Sequence, residues 1–295
     1  MNGVLCVNKP SGLTSFDVIA KLRRILGIKK IGHAGTLDPM ATGVLPVLIG
    51  QATKALPYLP NKDKRYVARV EFGKTTDTLD ITGKILKETR SHLKKCDIDM
   101  CLQKYVGKIL QVPPMYSAVK KNGIPLYKLA REGKIVDRNP REANIYQLKC
   151  LQFDEEAQEG ELEIFCSSGT YIRTLCDDLG QDLGVGGVLT KLSRTMACGY
   201  ELNECKNLDE ISQIGRLGKV SEIIFPIDSL FGRFPKLRLD PTQERLFRNG
   251  VRLWLKELSE VSGRVAVYGK AFLGLAHPQD GKLKIDRMFI EDNDV

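Results

Sequence analysis

The chain has 295 residues, 42% hydrophobic and 27% charged, a length that buries a sizeable core and suits one large domain with a small one beside it. With 45 Lys and Arg against 36 Asp and Glu the formal net charge is +9, a balance that favours polyanionic partners. Eight cysteines contain no C-x-x-C pair and the three histidines, at 33, 92 and 277, stand far apart, so metal-ligand spacing is absent and reduced, buried thiols are predicted.

Charge is unevenly spread. Residues 1–150 carry 27 basic and 12 acidic side chains, net +15; residues 151–234 carry 7 and 15, net −8; residues 235–295 carry 11 and 9. A basic half joined to an acidic segment reads either as an electrostatic footprint for phosphates or as an uneven solvated surface. No charged leader precedes a long apolar run and no window approaches 18 uninterrupted apolar residues, which predicts a cytoplasmic protein without a membrane span.

In chain order, GVLCVNKP is a short buried strand ending at a Lys-Pro-Ser-Gly turn, and Thr14 and Ser15 offer an N-cap for a helix through about Leu26. Lys29 to Gly35 leads into a Gly, Thr and Pro-rich loop, after which VLPVLIGQATKAL is a strand or a buried helix. YVARVEFG alternates as a half-buried strand, with Tyr66, Ala68, Val70 and Phe72 on one face. From Lys104 to Arg141 nine basic residues face two acidic ones, the composition of an exposed arm. ELEIFCSSGTYIRTL returns to strand alternation and places Tyr171 and Arg173 on one strand face; CDDLGQDLG is a short helix ending in Gly184 or the Gly186-Gly187 pair. A Pro- and Gly-rich linker is expected near Phe225 to Pro235, followed by the strand-like pieces RVAVYG, AFLGLAH and KLKIDRMFI of a small β-rich domain.

The densest group of special residues is GHAGTLDPMATG, Gly32 to Gly43, which holds His33 and Asp38 and lacks the Gly-Lys-Ser/Thr ending of a P-loop. As residues alone, Asp38 before Pro39 is a turn former, Arg173 a surface cation, Tyr66 a core strand aromatic, and His33 a structural hydrogen-bonding group. Tyr171 and Leu192 read equally well as plain packing residues, and the basic arm as a flexible loop.

KIGHAGTLDPMATGVLPVLIGQATK resembles the signature of TruB-type tRNA pseudouridine synthases. LCVNKPSGLTS, KRYVARVEFGKTTDTLD, PPMYSAVKKNGIPLYKLAREG and SSGTYIRTLCDDLG agree in the same order, together spanning positions 4 to 180. The resemblance implies an α+β pseudouridine synthase fold with a large mixed, mainly antiparallel sheet, over residues 1–230. It also implies a thumb-like basic insertion at about 104–141 and a small β-rich PUA-like RNA-binding domain at 235–295. The implied reaction isomerises uridine 55 in the tRNA T-loop by base flipping, without cofactor or metal. Asp38 would be the essential carboxylate, acting either as nucleophile or as a base on the sugar. Arg173 would pair with it and lower its pKa, and Tyr66 would stack on the flipped uracil. His33 would help displace the base, Tyr171 and Leu192 would complete the pocket wall, Lys9 and Pro10 would buttress the site, and Asp80 would support the arginine. Asp77 is a further potential acid of the same run. Lys120, Lys121, Lys128 and Arg131 are the expected phosphate contacts. The implied partner is tRNA, through its T-arm and with the acceptor end as a further candidate contact, bound by a monomer. Three other readings stand beside this one: an RNA-folding module in which binding matters more than chemistry, a guide-RNA-dependent synthase, against which the thumb-like insertion argues, and a small-molecule enzyme, against which the basic arm argues.

Overall fold

A computed structural model describes residues 1–60, 62–255 and 262–290. The expected second domain, 235–295, thus includes residues 256–261 and 291–295, which lie outside the described residues.

β1 (Gly3–Lys9) is buried along almost its whole length, as an uninterrupted apolar strand covered on both faces must be. Thr14 caps α1 (Ser15–Leu26): its hydroxyl accepts from the Asp17 amide while the Asp17 carboxylate accepts from the Thr14 amide, a reciprocal box that satisfies two orphan donors. β2 (Ile31–His33) and β3 (Thr42–Ile49) hold the glycine-rich loop between them, so the ambiguous apolar run is a strand through Ile49 and then a 3-10 helix, Gly50–Tyr58. β4 (Lys64–Phe72) buries Tyr66, Ala68, Val70 and Phe72 and keeps the alternate residues half-exposed.

A hairpin of β5 (Lys74–Thr76) and β6 (Ile85–Glu88) precedes α2 (Lys95–Gln103) and β7 (Gly107–Gln111). The basic segment expected as an arm from Lys104 to Arg141 is anchored in the sheet at both ends. β7 pairs antiparallel with the start of β10 (Arg141–Asp154), Gln111 opposite Arg141. Between them lie β8 (Lys120–Lys121), β9 (Ile124–Pro125) and α3 (Leu126–Arg131), which form no part of the main sheet.

β11 (Glu159–Cys166) ends before Tyr171, and this corrects the reading of a strand face shared by Tyr171 and Arg173. Tyr171 is the N-cap residue of α4 (Ile172–Asp182) and Arg173 lies in its first turn. YIRTL is too short to separate the two periods. The longer spacing, with Ile172, Leu175, Cys176 and Leu179 buried, is helical.

β12 (Gly187–Ala197) and β13 (Tyr200–Glu201) complete a nine-stranded sheet ordered β1-β3-β12-β4-β11-β10-β7, with β2 on β3 and β13 on β12. Every pairing among these strands is antiparallel except β3 with β12. The fold is therefore α+β with a mixed, mainly antiparallel sheet. Beyond it, β14 (Lys236–Arg238), β15 (Leu253–Trp254), β16 (Val265–Tyr268), β17 (Phe272–Gln279) and β18 (Lys282–Met288) form a second sheet ordered β14-β16-β17-β18-β15. That sheet shares a core with Phe247. Among the described residues no helix is long and apolar enough to cross a membrane.

The stretch 225–235 is not a loose spacer. Phe225 exchanges two backbone hydrogen bonds with Val4, both at 2.8 Å. Phe231 is buried, its ring centroid 5.8 Å from that of Phe272 and 5.6 Å from that of Phe289. Proline and glycine shape the segment, but its phenylalanines join the two sheets through one apolar cluster. Truncating such an anchor loses both transfer energy and packing. Phe231→Ala is expected to lower stability by about 3 to 5 kcal/mol in urea unfolding, whereas a loss below about 1 kcal/mol would restore the spacer reading.

Candidate active site

The loop between β2 and β3 has little secondary structure to satisfy its backbone, and its neighbours do that work. The Lys9 ammonium, with no solvent exposure, donates to the carbonyls of Pro10 at 2.8 Å, Leu13 at 2.6 Å and Pro39 at 3.2 Å. Ser15 Oγ lies 3.1 Å from the Leu37 carbonyl and 2.9 Å from the Leu37 amide, and the Gly12 amide donates to Pro39 at 2.8 Å. The entry to α1 thereby clamps residues 37–39. Burial pulls the Lys9 pKa down to about 8, with Asp38 opposing the fall. Asp38 also keeps its turn-forming role, its carbonyl accepting from the Ala41 amide at 3.1 Å.

Arg173 Nε approaches Asp38 Oδ2 at 3.0 Å. The arginine side chain is 6% exposed and the aspartate side chain 36%, so the carboxylate is held from inside and reachable from outside. The rest of the guanidinium is engaged as well. Its Nη1 lies 3.8 Å from Asp80 Oδ2 and donates to the Thr78 carbonyl at 3.3 Å, and Nη2 donates to the Tyr116 carbonyl at 2.7 Å. Asp80 is buried and its Oδ1 accepts from Thr78 Oγ1 at 2.8 Å, the Thr82 amide at 3.0 Å and Thr82 Oγ1 at 2.5 Å. Asp77 instead accepts from the Lys84 amide, exposed and outside this network.

Burial raises the Asp38 pKa, opposed chiefly by the attraction of Arg173, while Asp80 adds to the rise and Lys9 opposes it. The expected lowering by the arginine is present but outweighed, because the loop is packed under α1 and against the sheet. Tyr66 is buried on β4, its phenol pushed up to about 12 by burial. Leu192, on β12, shares an apolar cluster with Tyr66 and Leu37. His33, half-buried at the end of β2, has its pKa lowered by burial and by Arg194. Tyr171 is half-exposed, and its backbone is fixed by Gln111, whose side chain accepts from its amide at 2.9 Å and donates to its carbonyl at 3.1 Å.

Asp38, Arg173 and Asp80 are thus brought into one chain of charges, with Lys9 beneath the loop and Tyr66 and Leu192 beside it. Lys120, Lys121, Lys128 and Arg131 are exposed and lie apart from this network. Lys121 donates to the Asp137 carbonyl at 2.7 Å, and Arg131 stacks over Tyr127. Tyr116, Gln111 and Arg194 are partners that sequence reasoning missed. The first two act through backbone or amide groups that carry no signature. Arg194 has one, a charge in the buried phase of the strand between Leu192 and Met196. Among the described residues no group of three or more His, Cys, Asp or Glu could hold a metal ion.

The mixed sheet and the appended β domain define the class to which the fold belongs. It is shared with a chain from the structure of an H/ACA RNP bound to a substrate RNA containing 2′-deoxyuridine, with 21% identity, a TM-score of 0.74, and coverage of 98% of this chain and 85% of that one. A chain from a Cbf5–Nop10–Gar1 complex superposes with the same TM-score at 23% identity, covering 99% of this chain and 86% of the other. Residues 23–172 match the N-terminal domain of the TruB family pseudouridylate synthases, and residues 173–231 match the tRNA pseudouridylate synthase B C-terminal domain. The chain belongs to the TruB family of pseudouridylate synthases, which are isomerases. A protein of Lactobacillus gasseri named tRNA pseudouridine synthase B is 40% identical over 100% of both chains. One of the same name from Clostridium perfringens is 38% identical over 99% of this chain and 100% of its own.

The electrostatics of the pair have a measurable sign. Burial raises the Asp38 pKa and Arg173 lowers it, so Arg173→Met leaves burial unopposed. In carboxyl carbon NMR, Asp38 is expected to titrate above the ordinary aspartate value of about 3.9 and to move higher still in Arg173→Met. A downward move in the variant would contradict this balance.

Proposed function

We propose that this enzyme isomerises uridine 55 in the T-loop of tRNAs to pseudouridine, with Asp38 as its catalytic carboxylate. The observation that carries the reading is the Asp38–Arg173 pair at 3.0 Å, which presents an aspartate 36% exposed in front of an arginine 6% exposed. The names of the full-length relatives support tRNA as the substrate.

In this reaction the bond between N1 and C1′ breaks, the uracil turns, C5 bonds to C1′, the C5 hydrogen leaves to solvent as a proton, and N1 takes one up. Nothing is oxidised or reduced. The target base leaves its stack to reach the site, and the Tyr66 ring supplies the surface against which the uracil rests. A phenol near 12 stays protonated across the working pH range, so Tyr66 acts as a ring and a hydrogen-bond donor. Asp38 works ionised, as the nucleophile at C1′ or as the base that removes a sugar proton. Arg173 favours that state against burial. His33, whose protonation burial and the neighbouring Arg194 oppose, helps displace the base. Tyr171 and Leu192 wall the pocket, Lys9 and Pro10 fix the loop, and Asp80 orients Arg173.

Lys120, Lys121, Lys128 and Arg131 contact phosphates of the T-arm from the insertion, and residues 235–295, with strands in a five-stranded sheet, serve as a PUA-like RNA-binding domain, in contact with the acceptor end, beside the catalytic residues 1–230. We place the enzyme in the cytoplasm as a monomer. The exposed cations also favour a second activity, remodelling of RNA by binding alone, which Asp38 would not serve.

Unmodified tRNA transcript carrying tritium at uridine C5 tests the reading. Tritium release is expected with the parent protein, and none under binding conditions would sink it. Asp38→Asn is expected to lower the rate by more than about a thousandfold with tRNA affinity within about threefold of the parent. A retained rate would remove Asp38 from its role. Lys120→Ala and Lys128→Ala are each expected to weaken tRNA binding and to reduce the salt slope of log K by about 0.9 per lost phosphate contact. An unchanged slope would assign those cations to the solvated surface.

A further inference from the structure

Arg194, on β12, heads the largest fully buried side chains of the described protein. Among the described residues no ion pair is formed by its guanidinium. Taking an unpaired cation out of water is costly, and an apolar residue in the same strand phase would pack without that cost. What the guanidinium does instead is satisfy backbone carbonyls on both sides of Asp38, two in the loop and one on β3. Nε donates to the Val44 carbonyl at 2.8 Å, Nη1 to Thr36 at 3.3 Å and Nη2 to Gly35 at 3.1 Å.

The backbone of the same residue grips the other end of the loop. Arg194 is in register with Gly43 on one side of β12 and with Tyr66 on the other. A Cβ on Gly43 would stand 2.2 Å from the Arg194 carbonyl oxygen, and Gly43 has φ +103°, so only glycine admits this approach. One residue therefore touches the loop before Asp38, the loop after it, and the strand that bears Tyr66.

We propose that Arg194 is a positioning residue for the isomerisation, fixing the Asp38 loop against the Tyr66 strand through one planar fork of donors, a role that rests on the assignment of Asp38 and Tyr66 made above. The carbonyls of Gly35 and Thr36 in the irregular loop, and of Val44 on β3 just beyond it, need donors once they are buried. A guanidinium reaches them together in a rigid geometry, whereas the ammonium of lysine is a compact point charge on a flexible stem. The charge also acts at short range: it opposes protonation of His33 and of Lys9 and favours ionisation of Tyr66 against the larger effect of burial.

The test compares Arg194→Lys and Arg194→Met with the parent for tRNA dissociation constant, single-turnover rate at saturating tRNA, and titration of the His33 imidazole by NMR. Small misplacement of reacting groups costs up to about a hundredfold in rate. For Arg194→Lys a rate loss of about tenfold or more is expected, with the dissociation constant within about threefold of the parent. For Arg194→Met the loss is expected to approach about a hundredfold, with the His33 pKa moving up as the neighbouring charge goes. Because the Met variant also strips donors from buried carbonyls, the Lys variant is the deciding one. A parental rate in Arg194→Lys, or a loss of affinity in place of rate, overturns the proposal. Asp38→Asn is run in parallel. If that variant keeps turning over, the assignment of Asp38 fails. If it is inactive while Arg194→Lys runs at the parental rate, only the positioning role fails.

Discussion

The contact between Asp38 and Arg173 is the interaction on which the rest of the structure converges. Arg173 has almost no solvent to satisfy it, so each of its donors must find a protein partner. Those partners come from three separate places, the loop between β2 and β3, the turn between β5 and β6, and the basic insertion at Tyr116, and they meet on a residue of α4. No single element can form the site alone. The guanidinium is where the sheet, the hairpin and the insertion register against one another, and the one carboxylate it leaves open to solvent is Asp38.

That arrangement also explains why two acidic groups near one arginine behave differently. Asp80 is saturated with hydroxyl and amide donors and is sealed from solvent, so it serves as a fixed counter-charge. Asp38 has one strong partner, an open face, and a pKa pushed up by its surroundings. A carboxylate held in that way gains from any substrate group that it can bond or deprotonate. Beneath it, Lys9 and Ser15 fix the peptide groups of residues 37–39, so the carboxylate is presented by a rigid loop even though the loop has little secondary structure.

Much of the scaffold was legible in the sequence because its strands obey simple periods. The alternation of Tyr66 to Phe72, the cap at Thr14 and the strand pieces of the C-terminal sheet all follow from local patterns. The start of α4 did not, since Tyr171 and Arg173 are two apart in either a strand or a helix N-terminus, and only burial across a longer window separates the cases. The 225–235 stretch misled for a different reason: proline and glycine mark a change of direction, whereas the buried face of Phe231 is a tertiary fact. The proposed site residues came from family resemblance, as Asp38 on its own residues is a turn former, and the turn is there. Tyr116 contributes a carbonyl, which leaves no motif, whereas Arg194 was signalled only by a charge in the buried phase of its strand, a cue that names no function.

The central claim is that Asp38, held by Arg173, modifies one uridine of tRNA. The most direct measurement is a position-by-position map of pseudouridine in a tRNA transcript after incubation with the parent protein and, separately, with Asp38→Asn. A single modified position at uridine 55 with the parent, and none with the variant at matched tRNA occupancy, is the expected result. Modification elsewhere, or at the same position by the variant, would contradict the account.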